Sequence, residues 1–331
     1  MKRHVFPGSL IVAAGGLALC TSALAAGQAP VSGAAIHAAE VWAFPVSPTA
    51  DPKAAAPDLS KAVHVAGSTR SYTRGEISLL DSPPDWFPQD HPPMPRIVAH
   101  GRKPAWACAA CHLPDGEGAP ATAALTGLPR AYILEQLAAF RHGLRGASRP
   151  RTTRDMAHEA RNLDSADMQQ AVAYFSSLAF RPRTRVVETA TVPKTHWRDY
   201  VLMTNRNGAR EPIGARIIVT PADVEDYEDR DAHTEYVAYV PPGSIARGAI
   251  IAAKGVGAVL PCESCHGTSL QGVGNIPPLA GRSPVYIARE LILFRTGERT
   301  NRGAAPMRLE ASRLSVGDMI AVAAYAASRR P

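Results

Sequence analysis

Two copies of the pentapeptide Cys-x-x-Cys-His constrain this chain more than any other feature. They occupy residues 108–112 and 262–266 and use every cysteine except Cys20 near the N-terminus. Two thiols on adjacent turns of a short helix can form thioether bonds with the two vinyl groups of one porphyrin, and the next histidine then lies under the iron. Each motif is therefore predicted to bind one covalent haem. The predicted cofactor-binding residues are Cys108, Cys111, His112, Cys262, Cys265 and His266.

Other uses of paired cysteines explain the pattern less well. The two pairs together could form a tetrahedral Cys₄ zinc site, and a single pair could act as a thioredoxin-like redox couple. Neither accounts for a histidine directly after both second cysteines. Structural disulfides are usually spread along a small scaffold, whereas each pair here falls within four residues.

The N-terminus has the features of an export signal. A basic start leads into an apolar stretch at residues 10–24, and the small-x-small pattern that ends at Ala25 is typical of signal-peptidase cleavage. We therefore expect residues 1–25 to be a signal peptide and the mature protein to be periplasmic. Lipid attachment at Cys20 is an alternative, but Leu19 is bulky for that processing site. No later segment reaches the roughly 18 apolar residues of a spanning helix.

Composition and charge agree with an exported globular protein. The chain has 331 residues, of which 46% are hydrophobic and 20% charged, and this length allows two or three cores. Its net charge of +7 is compatible with nucleic acid or anionic membranes as partners. The arginines, however, are spread along the chain rather than clustered, so we expect redox proteins and no nucleic acid.

The two motifs belong to an internal repeat. A shift of 154 residues superimposes both motifs and carries Tyr132 and Phe140 onto Tyr286 and Phe294. After a three-residue deletion the shift becomes 151, and the match continues into the end of each repeat. The chain therefore contains two copies of one haem domain.

Each repeat is predicted to be helical. Apolar residues at a spacing of three to four predict helices over residues 129–142 and 284–294. A final helix is predicted from Ser165 to Leu178 and from Ser315 onward, with both serines as N-caps. Less distinct patterns predict a first helix near residues 95–101 and 244–254.

The chain has a different character outside the repeats. Residues 26–94 are rich in Pro, Ala and Ser, which predicts an extended arm because proline is excluded from helix and sheet interiors. Residues 181–240 alternate apolar and polar side chains around 185–188 and 215–219, which predicts short strands. The haem domains are then expected at residues 95–180 and 241–331.

Together these residues resemble the bacterial class I cytochromes c, here in a diheme form. The resemblance rests on the two Cys-x-x-Cys-His motifs, a Leu-x-Gly loop, a Tyr-led helix, a lone Met, and Leu-x-x-x-Asp-Met before a last helix that carries Tyr. It covers roughly 95–180 and 241–330. It implies a mainly α fold with two tandem cytochrome c domains, joined by the strand-containing segment.

The resemblance also implies a methionine as the second axial ligand of each iron, because a thioether suits low-spin iron and raises its reduction potential. Each repeat offers two aligned candidates, Met156 or Met168 and Met307 or Met319. We expect Met156 and Met307 to be the ligands, because we place them in the loop ahead of the last helix. A methionine within a helix, such as Met168 or Met319, more often fills a core.

Further polar and aromatic residues have predicted roles near the haems. Tyr132 and Tyr286, together with Arg141 and Arg295, are candidates for binding haem propionates, since guanidinium pairs well with carboxylate. An equal alternative is that they belong to helix surface and core. Tyr174 and Tyr325 are expected to pack on the first helix of their domains. His91 and Met94 are expected to be exposed loop residues.

The predicted function is one-electron transfer between exported or membrane-bound redox proteins, with no catalytic residues. Such a carrier could also be a cytochrome subunit of a dehydrogenase or deliver electrons to a terminal oxidase. The alternative is a diheme enzyme of the peroxidase or thiosulfate-oxidising type. An enzyme needs one haem with an open or unusual axial position, and matched methionines in both repeats argue against it.

Overall fold

The computed structural model describes residues 1, 33–45, 58–146, 152–198 and 200–331. Apart from Met1, the predicted signal peptide with its Cys20 lies outside these ranges. No helix within the ranges is both long and apolar enough to cross a membrane. The helices are α1 (Gly33–Ala43), α2 (Arg74–Ile77), α3 (Arg96–Ala99), α4 (Ala109–His112), α5 (Arg130–Arg141), α6 (Thr152–Asn162), α7 (Ser165–Ser177), α8 (Val224–Glu228), α9 (Ser244–Lys254), α10 (Glu263–His266), α11 (Pro284–Arg295), α12 (Ala305–Arg313) and α13 (Val316–Ser328).

The strands are short and most lie between the two repeats. The strands are β1 (Ala62–Val63), β2 (Tyr72–Thr73), β3 (Thr184–Glu188), β4 (Thr191–Pro193), β5 (Thr195–Arg198), β6 (Val201–Thr204), β7 (Arg210–Pro212), β8 (Ile218–Pro221) and β9 (Tyr236–Val240). A parallel pairing of β3 with β9 and an antiparallel pairing of β9 with β8 make a three-stranded sheet. Antiparallel two-stranded sheets join β1 with β2, β4 with β7 and β5 with β6.

The predicted first haem domain, residues 95–180, is called domain 1, and its helices pack around two apolar clusters. Ile97 and Val98 of α3 lie with Tyr174 and Phe175 of α7 in one cluster. The other joins α5, α6 and α7 through residues such as Phe140. Asp164 caps α7 by accepting a hydrogen bond from the Asp167 backbone, so the prediction of Ser165 as N-cap was wrong by one residue.

The predicted second haem domain, residues 241–331, is called domain 2, and it has one larger core and a close helix crossing. Helix α9 occupies Ser244–Lys254, as predicted, and α13 packs directly across it. A Cβ atom added to Gly248 would lie 2.0 Å from the carbonyl oxygen of Ala321, so the two backbones approach within a distance that only glycine allows. Ser315 caps α13 and forms a capping box with Asp318, which confirms its prediction.

The segments that carry Met156 and Met307 are helices, not loops. Met156 lies in α6 and Met307 in α12. In each, the methionine is followed by Ala four residues later and Leu seven residues later, which is helical spacing. Pro306 is tolerated because it lies in the first turn of α12, where its missing N–H has no helical partner.

The arm is not wholly extended. Helix α1 contributes Ile36, Trp42 and Phe44 to the core of domain 2. Arg289 donates a hydrogen bond to the Ala43 carbonyl at 2.8 Å and lies over the Phe44 ring. The Ala-rich stretch of the arm has enough helix formers to overcome its flanking prolines once its apolar side chains are buried.

The arm and the segment 181–240 form a shared unit beside domain 1. Trp86 donates to the Asp229 carbonyl at 2.9 Å, and Phe87 stacks on His233 with ring centres 3.7 Å apart. Residues 184–188 are a strand, as predicted, while the second predicted strand begins at Ile218 rather than near 215. Strands β8 and β9 also contribute to the core of domain 2, so this segment contacts both haem domains.

A buried polar network joins the two domains through equivalent residues. Arg145 donates to Tyr286 at 2.8 Å and to Glu290 at 2.7 Å. Arg299 donates to Tyr132 at 2.9 Å and to the other oxygen of Glu290 at 2.6 Å. Both arginines are only 4% exposed. The two buried guanidinium groups therefore hold the domains together through hydrogen bonds that are shielded from water.

Candidate functional site

The first Cys-x-x-Cys-His motif forms a single helical turn, α4, with its histidine turned inward. His112 is buried, and its Nδ1 lies 2.8 Å from the carbonyl oxygen of Ala123. A carbonyl oxygen can only accept a hydrogen bond, so Nδ1 is the protonated nitrogen. The Nε2 lone pair is thereby left available as a metal ligand.

The second motif repeats this geometry in α10. His266 is buried, and its Nδ1 lies 2.9 Å from the carbonyl oxygen of Pro277. In both domains the accepting carbonyl follows the histidine by eleven residues, although the residue differs. Burial lowers the pKa of both imidazoles, so each is neutral, which is the form that binds a metal.

All four cysteines of the motifs are free thiols. Burial raises the pKa of Cys108 to about 12 and that of Cys262 to about 11. Burial also raises the pKa of Cys111 to about 11, against the opposing positive charge of Arg230. Such thiols are protonated at neutral pH, which disfavours a metal-thiolate centre.

The zinc alternative required the two cysteine pairs to converge. Within the described ranges, which include both pairs, no three His, Cys, Asp or Glu side chains are grouped so that they could hold a metal ion. Each motif therefore presents its own neutral imidazole and two free thiols. That set of donors fits covalent haem attachment in both domains.

The structure places all four candidate methionines in helices but in different surroundings. Met156 and Met168 both pack on the same cluster of domain 1, and both are partly buried. In domain 2, Met307 is partly buried at the edge of the core, whereas Met319 is 2% exposed inside it. The two candidate methionines of domain 1 thus have similar surroundings, whereas the two candidates of domain 2 have different surroundings.

Two matched hydrogen bonds connect each helix that carries Met156 or Met307 to its haem motif. Glu159 accepts from the Trp106 backbone N–H at 2.8 Å. Glu310 accepts from the Leu260 backbone N–H at 2.9 Å. Each glutamate lies three residues after the methionine, and each donor lies two residues before the first cysteine. The pattern was missed in the sequence, although both glutamates align in the repeat.

Several predicted propionate-binding residues have other partners. Arg141 donates to the Ala160 and Leu163 carbonyls at the end of α6, and Arg295 does the same at Ala311 and Leu314. They therefore satisfy backbone carbonyls at helix ends. Arg145 and Arg299 are the better candidates, because their Nε atoms are buried and have no hydrogen-bond partner.

The other aromatic and arm residues can also be placed. Tyr174 packs with Ile97 and Val98 of α3, as predicted, and donates to the Pro114 carbonyl at 2.7 Å. Tyr325 lies against Gly248 of α9, as predicted. Met94 is not an exposed loop residue, because it packs on the cluster that includes Cys108. His91 is likewise enclosed and lies 3.2 Å from Asp85.

The loops that follow the two motifs differ in how far their side chains are exposed to water. Glu117 of the first loop is buried, accepts hydrogen bonds from the Arg181 backbone and Thr126, and has its pKa raised to about 7 by burial. The equivalent residue of the second loop, Gln271, is exposed. The sequence showed this difference but gave no sign that only the first loop is covered.

The known proteins that this chain resembles are cytochromes c and a protein named as an electron acceptor. The cytochrome c family model matches residues 98–179. A cytochrome c-554(548) of Halomonas halodenitrificans is 38% identical over 79 residues, which are 24% of this chain and 95% of that relative. A cytochrome c4 of Pseudomonas aeruginosa is 27% identical over 232 residues, 69% of this chain and 86% of the relative. A protein named thiosulfate dehydrogenase electron acceptor, from Stutzerimonas stutzeri, is 36% identical over 137 residues, 37% of this chain and 62% of that relative.

Proposed function

Because this chain belongs to the c-type cytochromes, with two haem domains in tandem, we propose that it carries single electrons between exported or membrane-bound redox proteins. The observation that carries the proposal is the matched pair of buried histidines, each fixed through Nδ1 by a carbonyl eleven residues later. Haem c supplies a one-electron ferric and ferrous couple when bound.

The residues that hold each haem have separate roles. The sulfur atoms of the four motif cysteines would form the thioether bonds to the haems, and Nε2 of His112 and of His266 would bind the irons. The carbonyl acceptors at Ala123 and Pro277 fix the ring orientation and make the imidazole a stronger donor.

Met156 and Met307 would supply the second protein ligand of each iron in this proposal. The hydrogen bonds that Glu159 and Glu310 accept from backbone N–H groups support the choice, because they fasten each methionine-bearing helix to the chain just before the haem motif. Met319 is enclosed in the core of domain 2, which suits packing better than ligation. The alignment of the repeats then favours Met156 over Met168.

The interdomain arginines are suited to the haem propionates. The network contains two guanidinium groups and one carboxylate, Glu290, so it has an excess positive charge at a buried place. Arg145 lies over Phe140 and Arg299 over Phe294, with 4.6 and 4.4 Å between each guanidinium carbon and the ring centre. Phe140 belongs to the same apolar cluster as Met156, and Phe294 to the same cluster as Met307. The Nε–H groups of Arg145 and Arg299 lack hydrogen-bond acceptors. Two haem propionates would supply these acceptors and would balance the excess positive charge.

A periplasmic location and a dehydrogenase as electron donor complete the proposal. The basic N-terminus and the cleavage pattern at Ala25 support export. The relative named thiosulfate dehydrogenase electron acceptor supports a dehydrogenase as the donor. The chain is then an acceptor subunit or a diffusing carrier that serves such an enzyme.

The spin state of the resting protein tests the carrier against the diheme enzyme. With His and Met on both irons, the isolated ferric protein is expected to be low-spin throughout in its electron paramagnetic resonance spectrum. It should bind cyanide or peroxide slowly and exchange electrons rapidly with a redox protein. A high-spin haem accompanied by turnover of peroxide or thiosulfate would instead support the enzyme.

A further inference from the structure

The loop that fixes His112 in domain 1 is held by two arginines of domain 2. This loop spans residues 119–126, and its Ala123 carbonyl oxygen lies 2.8 Å from Nδ1 of His112. Arg289 of α11 donates a hydrogen bond to one loop carbonyl, and Arg282, just before α11, donates to two more. The accepting carbonyls are those of Ala121 at 2.8 Å, Ala124 at 2.7 Å and Thr126 at 2.9 Å. The arginines therefore hold the chain on both sides of the carbonyl that the histidine uses.

Both arginines are buried and positively charged. Arg282 is 6% exposed and Arg289 is 3% exposed. Burial lowers the pKa of each guanidinium to about 10, so both stay charged at neutral pH. Besides the loop carbonyls, Nε of Arg282 donates to the Pro278 carbonyl and Nε of Arg289 to the Ala43 carbonyl, each at 2.8 Å. A buried charge is costly unless it is hydrogen-bonded, so the arginines and the loop depend on these bonds together.

Domain 2 stiffens its own histidine-fixing loop by sequence. Pro277, whose carbonyl accepts from the second haem-binding histidine, is followed by Pro278, and each pyrrolidine ring locks its own φ angle. The equivalent residues of domain 1 are Ala123 and Ala124, whose backbones have no such restraint. The carbonyl that fixes the histidine of domain 1 therefore depends on restraint from outside its own loop.

Domain 1 offers no guanidinium in return. At the repeat shift of 154 residues, Leu128 and Glu135 stand where domain 2 has Arg282 and Arg289. Leucine has no polar donor, and Glu135 instead accepts a hydrogen bond from the Asn301 side chain at 2.8 Å. The support that arginines give to a histidine-fixing loop across the interface therefore runs from domain 2 to domain 1.

We propose that Arg282 and Arg289 are positioning residues for the iron ligand of domain 1: from domain 2 they fix the Ala123 carbonyl, and through it the imidazole of His112. The inference rests on the haem ligation proposed above. Without the two guanidinium groups, three carbonyls of the loop lose their donors, and the loop must rearrange to satisfy them with water. The Nδ1–H of His112 then loses a fixed acceptor, which changes the orientation and the donor strength of the ring. The ligand geometry of domain 1 thus depends on its contact with domain 2.

The experiment measures how well each ligand histidine keeps its Nδ1 proton. The reduced holoprotein is prepared with isotope-labelled histidine, and nuclear magnetic resonance follows the solvent exchange of the Nδ1 protons of His112 and His266. Arg282→Met and Arg289→Met should each speed the exchange at His112 roughly 10-fold, because hydrogen bonds from a charged donor are lost. The exchange at His266, the control within the same molecule, should stay within about twofold of wild type. Glu135→Met, at the position equivalent to Arg289 and on the same interface, should also leave His112 within about twofold.

A rescue variant separates support of the loop from a general role in packing. Ala123→Pro and Ala124→Pro, added together to Arg282→Met, copy the proline pair of domain 2 into domain 1. In the described part of the chain neither alanine N–H forms a backbone hydrogen bond, so the prolines remove none. The proline pair should bring the exchange at the domain 1 histidine back to within about twofold of wild type, because it restrains the same carbonyl.

Each outcome decides one question. Unchanged exchange at His112 in both arginine variants overturns the positioning role, and so does an equal rise at His266 or in Glu135→Met. A rise that the proline pair does not reverse also overturns it, because the arginines then do not act through the loop. In all these cases the haem-induced shift of the His112 signals shows that the proposed ligation stands. If the wild-type His112 signals have no haem-induced shift, the ligation fails, and the positioning role fails with it.

Discussion

Domain 1 and domain 2 share the interior of a haem domain and differ in what covers it. Both fix a buried histidine through a carbonyl eleven residues later, and both connect a methionine-bearing helix to the chain before the motif. In domain 1 the arm and the segment 181–240 enclose the motif, whereas in domain 2 Cys265 is exposed. The repeat has thus kept its chemistry while access to the two sites has diverged.

The interdomain network shows the same divergence at a single pair of equivalent positions. Gln136 of domain 1 and Glu290 of domain 2 each accept hydrogen bonds from both Arg145 and Arg299. The two arginines hold the pKa of Glu290 at about 2, against the opposing effect of burial. One half of the interface is therefore held by charge and the other by an amide.

Axial ligand loss is the largest effect expected and tests whether the domains ligate alike. Met156→Ala and Met307→Ala should each abolish half of the near-infrared band that arises from methionine bound to ferric haem. Each should also leave one iron open to carbon monoxide in the ferrous state. Met168→Ala and Met319→Ala are the matched controls and should keep the whole band. If Met168→Ala removes half of the band and Met156→Ala does not, the ligand of domain 1 is Met168, and the two domains use methionines at positions that are not equivalent.

Removal of the interface carboxylate comes next. Glu290→Ala leaves two buried guanidinium groups without a counter-charge and should lower the free energy of unfolding by about 3–5 kcal/mol. Gln136→Ala removes a neutral acceptor at the equivalent place and should cost about 1–3 kcal/mol. Denaturant unfolding of the holoprotein measures both losses. Equal losses would show that the charge of Glu290 adds nothing to the interface.

The helix crossing of domain 2 provides a third contrast. Gly248→Ala places a methyl group against the Ala321 carbonyl and should destabilise domain 2 by at least about 1–3 kcal/mol, because neither backbone can withdraw without loss of packing. The equivalent position in domain 1 is Met94, which precedes the four-residue α3. Met94→Ala should instead leave a small void. Hydrogen exchange of the holoprotein, resolved peptide by peptide, separates the two domains, and an unaffected domain 2 would contradict the packing described here.

The sequence predicted what the local pattern determines. The repeat, both motifs, and helices such as Ser244–Lys254 follow from short-range spacing. The many arginines of α6 and α12 predict loops, because they interrupt the helical spacing of the few apolar residues in these segments. Helix α1 was missed because its stability comes from burial against domain 2, about 250 residues later in the chain. Long-range packing of this kind leaves no periodic signal.

A smaller effect is expected from the buried glutamate of domain 1. Burial raises the pKa of Glu117 to about 7 from the ordinary 4.5, so the folded protein holds this proton more tightly than the unfolded chain. Stability is then lost as pH rises from about 4.5 through 7. Glu117→Gln should gain about 1–3 kcal/mol of unfolding free energy relative to wild type between pH 5 and pH 8.

The control for this prediction is the equivalent position of domain 2. Gln271 is exposed, so Gln271→Glu introduces a carboxylate that water solvates in both states. The difference in unfolding free energy between the Gln271→Glu variant and wild type should change little over the same pH range. A Glu117→Gln variant that also shows no pH-dependent gain would mean that the Glu117 carboxylate is not held away from water.

The central claim is that both motifs bind a haem covalently, and the intact mass of the exported protein tests it most directly. After acid-acetone extraction the wild-type chain should retain two haem masses. A variant with serine at Cys108 and Cys111 should retain one, and so should a variant with serine at Cys262 and Cys265. A wild-type chain that carries one haem, or none, would contradict the account.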